Sequence, residues 1–564
     1  MERLKAQSNY LRGRIAGELA DEIDHFSDET ANLLKHHGMY QQDDRDRRQH
    51  LGDHGRRSQK VYQLMVRVTV PTGRLAWDQL LTLLDLCDEL GGRTLRITSR
   101  QDIQLHGVPK RNVREMVRRI NAAFMTTMAT CGDVPRNVMC CPAPYWQDEV
   151  HRQMLTLAGR LAQELRPQTA AYKEIWLDVG QVSNSPAPSQ PATPPRNEEP
   201  FLGPTYLPRK FKVGVGLPGD NCVDVYAQDV GLLAVCEDYN VVGYNVLVGG
   251  SMGVTPGRRD TFPALAQRMA YVPPEQAIDV VKAILAVFRD FGNRSDRKRA
   301  RLKYLVADWG LKKFKAKVEE YLGGPLAGPH ADDVWDIDDH LGWHEQGDGR
   351  WFYGVHVENG RIMDSNGFRI KSALREICRK YQPWISLTPS QGLLLCDIRW
   401  EDRHGVEDLL RRHGVKLSHE ISNIRRWSAA CVALPTCSMA VAESERVLPG
   451  LIDQIEVELA RLGLATELMT VRMTGCANGC SRPYMADVGL VGRSPGRYAV
   501  YLGGRRLGNR QGFLYRDGVP FEQIVGVLAP VLAYYKLHRA DGETFGDFCH
   551  RKGGDDLRQN AALA

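Results

Sequence analysis

Cys431-Val432-Ala433-Leu434-Pro435-Thr436-Cys437 and, about forty residues on, Thr474-Gly475-Cys476-Ala477-Asn478-Gly479-Cys480 bracket one unit of chain. Between them Leu448, Leu451, Ile452, Ile455, Leu459 and Leu462 recur at helical spacing, which predicts a helix with one core-facing side. The mostly apolar run Leu468 to Met473 predicts a strand that carries the second cysteine pair back beside the first. Four thiolates then converge on one small volume. Gly475 and Gly479 allow tight turns there and let backbone N–H groups approach a bound anion.

Three chemistries compete for these thiolates. Structural zinc usually takes pairs spaced C-x2-C to C-x4-C, and the first pair here is C-x5-C. Two disulfides need an oxidising compartment, of which the sequence gives no sign. An iron–sulfur cluster takes four thiolates and favours backbone donors near its sulfides. Both the spacing and the local sequences resemble those of the sulfite and nitrite reductases, which couple a [4Fe–4S] cluster to sirohaem. The resemblance implies that Cys431, Cys437, Cys476 and Cys480 ligate the cluster, with Cys480 also the axial ligand of the sirohaem iron.

Composition is ordinary for a soluble globular protein. The 564 residues amount to three or four domains, and 74 basic against 68 acidic residues leave a mild surplus suited to anionic ligands or an acidic partner. That surplus is too diffuse to argue for nucleic acid. Thirteen cysteines is an odd number, which rules out a complete set of intrachain disulfides. Met1-Glu2-Arg3-Leu4-Lys5 opens no apolar leader, and no run reaches membrane-spanning length. A reduced, cytoplasmic setting is expected.

Residues 1–57 are polar and charge-dense, and predict a surface-wrapping or partly disordered arm. Ser8-Asn9-Tyr10-Leu11-Arg12-Gly13 and His37-Gly38-Met39-Tyr40-Gln41-Gln42-Asp43-Asp44-Arg45-Asp46 resemble the family's haemoprotein subunits that take electrons from NADPH through a separate flavoprotein. The resemblance implies a partner-binding arm and an alpha subunit carrying FAD and FMN. No flavin or nicotinamide fingerprint is present in this chain, so electrons must arrive from another protein.

From Tyr62 the pattern reads strand, helix, strand. Met65 to Val70 alternates, with Arg67 on the polar side, and Leu80 to Leu90 is an amphipathic helix. In Leu95-Arg96-Ile97-Thr98-Ser99-Arg100 a period of two puts Arg96, Thr98 and Arg100 on one face, and a continuing strand adds Gln104 and His106. By itself such a face is a solvated sheet surface. The family resemblance makes it a sirohaem-binding strand, because a buried macrocycle with eight carboxylates needs fixed cations and donors. Gly73 to Thr98 and Gly360 to Thr388 are similar separations, predicting a diverged repeat in which Ser386 and Ser390 replace Arg96 and Arg100.

Between the repeats, Cys140 and Cys141 read as small buried residues, since neighbours cannot both reach one cluster. Ser183 to Glu199 is a Pro/Ser-rich insert, expected to be an exposed loop. Thr205 to Lys212 reads as a strand with Lys210 and Lys212 on one face. The resemblance places Lys210 and Lys212, with Arg67 and Arg136, on the substrate side of the haem. It also assigns Arg209, Asn293 and Arg294 to the haem carboxylates. The charged tail after Asp555 is expected to fray.

The implied fold is α+β, a pseudo-twofold sulfite/nitrite reductase architecture. Its units are the arm (1–57), the two halves of a ferredoxin-like repeat domain (58–145 and 346–425), a first mixed α/β sirohaem and substrate domain (146–345) and a cluster and sirohaem domain (426–564). The implied activity is six-electron reduction of sulfite to sulfide. A ferredoxin-dependent sulfite or nitrite reductase shares every motif, and a zinc-stabilised binding module without redox chemistry is the reading from another class.

Overall fold

A computed structural model describes residues 1–51, 57–178 and 197–560. Most of the insert, 183–196, lies outside these residues. Its last two positions do not belong to a loose loop: Glu199 is buried and accepts the backbone N–H groups of Gln168 and Thr169, each at 2.8 Å.

Two five-stranded antiparallel sheets form the repeat domain. One runs Met39–Asp43, Tyr62–Val68, Ile103–Val108, Leu95–Ile97, Arg361–Ile362, and the other Gly342–Glu345, Trp351–Val355, Leu393–Ile398, Trp384–Leu387, Arg74–Leu75. Each sheet is completed by a short strand from the other half: Arg361 pairs with Arg96, and Arg74 with Ser386. The turn before each exchanged strand is the same, with Thr72 and Asn359 both at φ 53° ahead of a positive-φ glycine. The helix Trp77–Glu89 buries the apolar side predicted for it, and Ile370–Tyr381 buries Ile370, Ala373, Leu374, Ile377 and Cys378 in the same way.

The two larger units also repeat each other, which the sequence did not reveal. In the second, Ser428–Ala430, Val471–Thr474 and Val488–Ser494 are parallel neighbours, followed by antiparallel Arg497–Leu502 and Phe513–Pro520. In the first, a parallel bridge of Met139 to Gly214, then Val213–Gly216, Val230–Glu237, Asn240–Val248 and Gln267–Val272, follow the same order and directions. Each last strand leads into a helix, Ala277–Phe291 or Ile524–His538. Val213 pairs with Val230 as Val471 pairs with Val488, which makes Asp224 and Arg482 equivalent positions. These two equivalents form an ion pair with each other across the approximate twofold.

Three expectations are corrected here. Through residue 51 the arm is neither a wrapping nor a disordered segment: Leu11, Ile15 and Leu34 are fully buried and Met39–Asp43 is a sheet strand. Its charges are matched within the fold, so average composition understated it; Lys5, with no exposed surface, donates to Leu207 O at 2.7 Å and faces Asp133 at 3.4 Å. The tail after Asp555 is helical through Asn560, with Leu557 buried. Thr205 to Lys212 is not a strand; only Phe211 forms a bridge, to Pro135, and the regular strand starts at Val213.

Candidate functional site: a four-cysteine cradle beside a cationic hollow

The cradle follows from two adjacent parallel strands. Cys431 is the first residue past Ser428–Ala430 and Cys476 the second past Val471–Thr474, so both loops leave the same end of the sheet. The Cys431 N–H donates to Met473 O at 3.2 Å, and the Gly475 N–H reaches the Cys431 sulfur at 3.3 Å. A Cβ on Gly475 would stand 2.5 Å from that of Ala433, so only glycine lets the loops close. Gly479, at φ +60°, turns the chain and leaves Cys480 exposed. Arg45, from the arm, donates to Ala440 O at 2.8 Å and to Cys437 O, clasping the first loop from outside.

Burial, then the neighbouring Cys480, pushes the Cys437 thiol up and the Cys476 thiol up to about 12. Crowded thiolates of this kind need a bound metal centre to carry their charge. Among the described residues only a different group, Cys141, Asp220, Cys222 and His340, brings three or more metal-ligating atoms within 4.8 Å of one another.

The hollow is built on a row that crosses one sheet. Arg67, Gln104, Arg96 and Arg361 are successive cross-strand partners and so share a face. The expected continuous strand from Arg96 to His106 is in fact a hairpin. Gln101 at φ 57° turns the chain, and Thr98 Oγ1 accepts the N–H groups of Arg100 at 3.2 Å and Asp102 at 3.1 Å. Arg96 and Gln104 still share a face, because they pair across the hairpin. Gln104 bridges its neighbours: with its amide oxygen toward Arg67 Nε at 3.2 Å, its nitrogen donates to His106 Nε2 at 3.2 Å.

Several cations here have no anion of their own. Lys210 and Lys212 form no ion pair or side-chain hydrogen bond with the described residues. Burial, then Arg301 and Arg209 for Lys210, and Lys210 and Arg100 for Lys212, push both well below the ordinary lysine range. Burial and the nearby Arg136 push Arg100 down to about 9. Arg136 anchors to Thr130 O and Gly132 O, each at 2.6 Å. The buried Nε of Arg100, Nε of Arg136, Nδ1 of His106 and Oδ1 of Asn137 lack partners among the described residues. The unspent nitrogen donors of Arg100, Arg136 and His106, with the surplus positive charge, suit a polyanionic macrocycle and a small oxyanion. Cys480 joins the two halves of the site, within electrostatic reach of Cys431, Cys437 and Cys476 on one side and of Arg67 and Lys210 on the other.

Other assigned residues do other work. Arg96 pairs with Glu445 at 2.8 Å and donates to Ala430 O at 2.7 Å, tying the hollow to the first cysteine loop. Arg100 spends its terminal nitrogens on Gln228 and on the carbonyls of Asn137 and Val213. Arg209 stands 3.7 Å from Asp133, which Arg297 already holds through both oxygens. The Asn293 amide oxygen and the Arg294 guanidinium are engaged within the fold. Asn293 is exposed, its Oδ1 occupied by the backbone N–H groups of Ser295 and Asp296. Arg294 is consumed by Glu2, Tyr206 O and Arg289 O, and it fastens the arm. Cys141 is buried as expected, but in the four-residue group above, not as a mere small side chain. Sequence reasoning missed Tyr40 and Cys131, which lie among Arg67, Arg136 and Arg209. It also missed Arg301, in the basic run where Arg294 was chosen, and Arg361, which the repeat of Gly73-Arg74 as Gly360-Arg361 signals.

Comparison with known proteins decides the lineage. The description "Nitrite and sulphite reductase 4Fe-4S domain" matches residues 131–326, and "Nitrite/Sulfite reductase ferredoxin-like half domain" matches 56–123 and 344–413. A "Sulfite reductase [NADPH] hemoprotein beta-component" of Staphylococcus haemolyticus is 42% identical over 98% of this chain and 95% of its own. The chain belongs to the nitrite and sulfite reductase family. A "Sulfite reductase [ferredoxin]" of Synechococcus elongatus is also 42% identical, over 99% of this chain and 90% of its own. The solved structure of the Mycobacterium tuberculosis NirA protein superposes with a TM-score of 0.77 at 26% identity, covering 98% of this chain and 95% of that one. The α+β fold with ferredoxin-like halves is thereby established. The family's 4Fe-4S description covers the unit with Lys210 and Lys212, whereas the four cradle cysteines belong to its repeat, in the stretch that the full-length relatives align.

Proposed function

We propose that this chain reduces sulfite to sulfide by six electrons, with a [4Fe–4S] cluster on Cys431, Cys437, Cys476 and Cys480 and a sirohaem in the adjoining hollow. The observation that carries this reading is the position of Cys480, which lies within electrostatic reach of both the thiol cradle and the unpaired cations. When bound, the paired cofactors supply one-electron transfer and an iron that takes sulfite. Everything else is the work of side chains. Arg67, Arg136, Lys210 and Lys212 attract the oxyanion and polarise its S–O bonds. Burial makes the two ammonium groups readier proton donors at neutral pH, and departing oxygen must take up protons to leave as water. Arg96, Thr98, Arg100, Gln104 and His106 line or brace the macrocycle's side of the hollow, and Arg209 holds its entrance.

Electrons reach the cluster from NADPH through a flavoprotein alpha subunit, a reading supported by the N-terminal segments and by the beta-component relatives. Arg45, which clasps the Cys437 loop, gives the arm a direct route to the cluster for a docked partner. Among the described residues no helix is long and apolar enough to cross a membrane, and none of the thirteen cysteines is in a disulfide, which accords with a cytoplasmic setting. The relative named for ferredoxin makes the donor the point to test. The visible spectrum, iron count and labile-sulfide count of purified protein come first, then rates on sulfite and nitrite with NADPH plus flavoprotein against reduced ferredoxin. A protein with neither haem bands nor labile sulfide ends the proposal; turnover with ferredoxin alone replaces its donor.

A further inference from the structure

We propose a second metal centre in this chain: a structural zinc ion bound by Cys141, Cys222, His340 and Asp220. One donor atom from each lies within 4.8 Å of every other, and all four residues are buried. His340 Nε2 stands 3.4 Å from the Cys141 sulfur and 3.1 Å from Asp220 Oδ2.

The surrounding bonds aim these atoms inward. Asp220 Oδ1 accepts the N–H groups of Cys222 and Asp338, each at 3.2 Å, leaving Oδ2 for the centre. His340 Nδ1 has no hydrogen-bond partner among the described residues, whereas Nε2 is the ring atom that faces both the Cys141 sulfur and Asp220 Oδ2. Two thiolates, an imidazole and a carboxylate make a closed four-ligand set, the pattern of structural zinc. The donors come from three distant segments, so the ion would staple the end of the first half-domain to the loop after Val213–Gly216 and to the chain leading into Gly342–Glu345.

The internal repeat supplies an independent argument. Cys141 is two residues past Met139, which bridges to Gly214; Cys431 is two past Ala429, which pairs with Arg472. Gly214 and Arg472 are the second residues of equivalent strands. Cys222 follows the end of its strand by six residues, as Cys480 does. Cys141 and Cys222 therefore occupy the places of Cys431 and Cys480 in the other copy. The copy that lacks the remaining two cysteines completes its set with His340 and Asp220, drawn tightly enough for one ion.

The test is metal content of the full, cofactor-loaded protein after growth with added zinc, with zinc measured separately from iron. About one zinc per chain is expected. Zinc-edge X-ray absorption should show two sulfurs at about 2.3 Å and two lighter ligands at about 2.0 Å. Cys222→Ser and His340→Gln should each lose the zinc while keeping the visible haem bands. Should either variant fail to fold, the wild-type stoichiometry and edge spectrum still decide. Zinc below about a tenth of an equivalent, even after incubation with zinc chloride, overturns the proposal. A zinc shell without sulfur, or a Cys141–Cys222 disulfide in alkylated peptides, overturns it equally.

Discussion

Lys212→Met is the most discriminating substitution, because it should make the protein more stable and less active at once. The half-buried ammonium is crowded by Lys210, Arg100 and Arg301, and the nearby anion, Asp229, already binds Arg301 at 2.9 Å and 3.0 Å and accepts the Lys212 backbone N–H at 3.0 Å. Methionine keeps most of the apolar stem of lysine, removes an unpaired, half-buried cation and leaves Asp229 satisfied. Relief of that like-charge crowding stabilises the fold. Losing one fixed charge on a developing oxyanion costs about 2.7–4 kcal/mol in the transition state, or roughly 10²–10³ in kcat. Sulfite-dependent turnover, urea midpoint, and haem and iron content of the variant read all three quantities. A raised midpoint, unchanged cofactor content and a kcat down about a hundredfold are expected. Cofactor loss in step with kcat, or a lowered midpoint, would show that Lys212 holds the macrocycle or the fold and would refute its substrate role.

Cys437→Ser should abolish cluster assembly, with iron and labile sulfide falling together; full labile sulfide in the variant removes Cys437 from the ligand set. Asp133→Asn leaves Lys5, fully buried, and Arg297 without their shared carboxylate, and should lower the unfolding free energy by about 3–5 kcal/mol. A denaturation midpoint within error of wild type contradicts the buried-pair reading. His37 is held neutral by Trp176 Nε1, which donates to its Nδ1 at 3.1 Å, while its Nε2 donates to Leu11 O at 3.0 Å. Burial lowers its pKa from 6.5 to about 4, so between those values the unfolded chain binds more protons than the native one. The stability it contributes is intact above pH 6.5 and falls by about 1.4 kcal/mol per unit toward pH 4. In His37→Asn that acid slope should flatten in pH-dependent urea titrations; an unchanged slope assigns the loss to other groups.

Local sequence fixed what depends on neighbours along the chain. The cysteine spacings, the helix at Leu448–Arg461 and the glycines at 475 and 479 are short-range features, and they pointed to a cluster before any contact was known. Face assignments from a period of two were right for Arg96 and Gln104 only because a hairpin restored their register, a long-range pairing that no alternation encodes. Tertiary structure alone decided which charges were already spent. Arg294 and Lys210 look alike in the chain, yet one meets Glu2 from nearly three hundred residues away and the other is crowded by Arg301, Arg209 and Arg136. It alone also placed Cys141 and Cys222 in the cradle's twin position, since that equivalence resides in strand order and direction, which survive after side chains have diverged. Spacing along a chain limits what can ligate together; only the folded distances show what does.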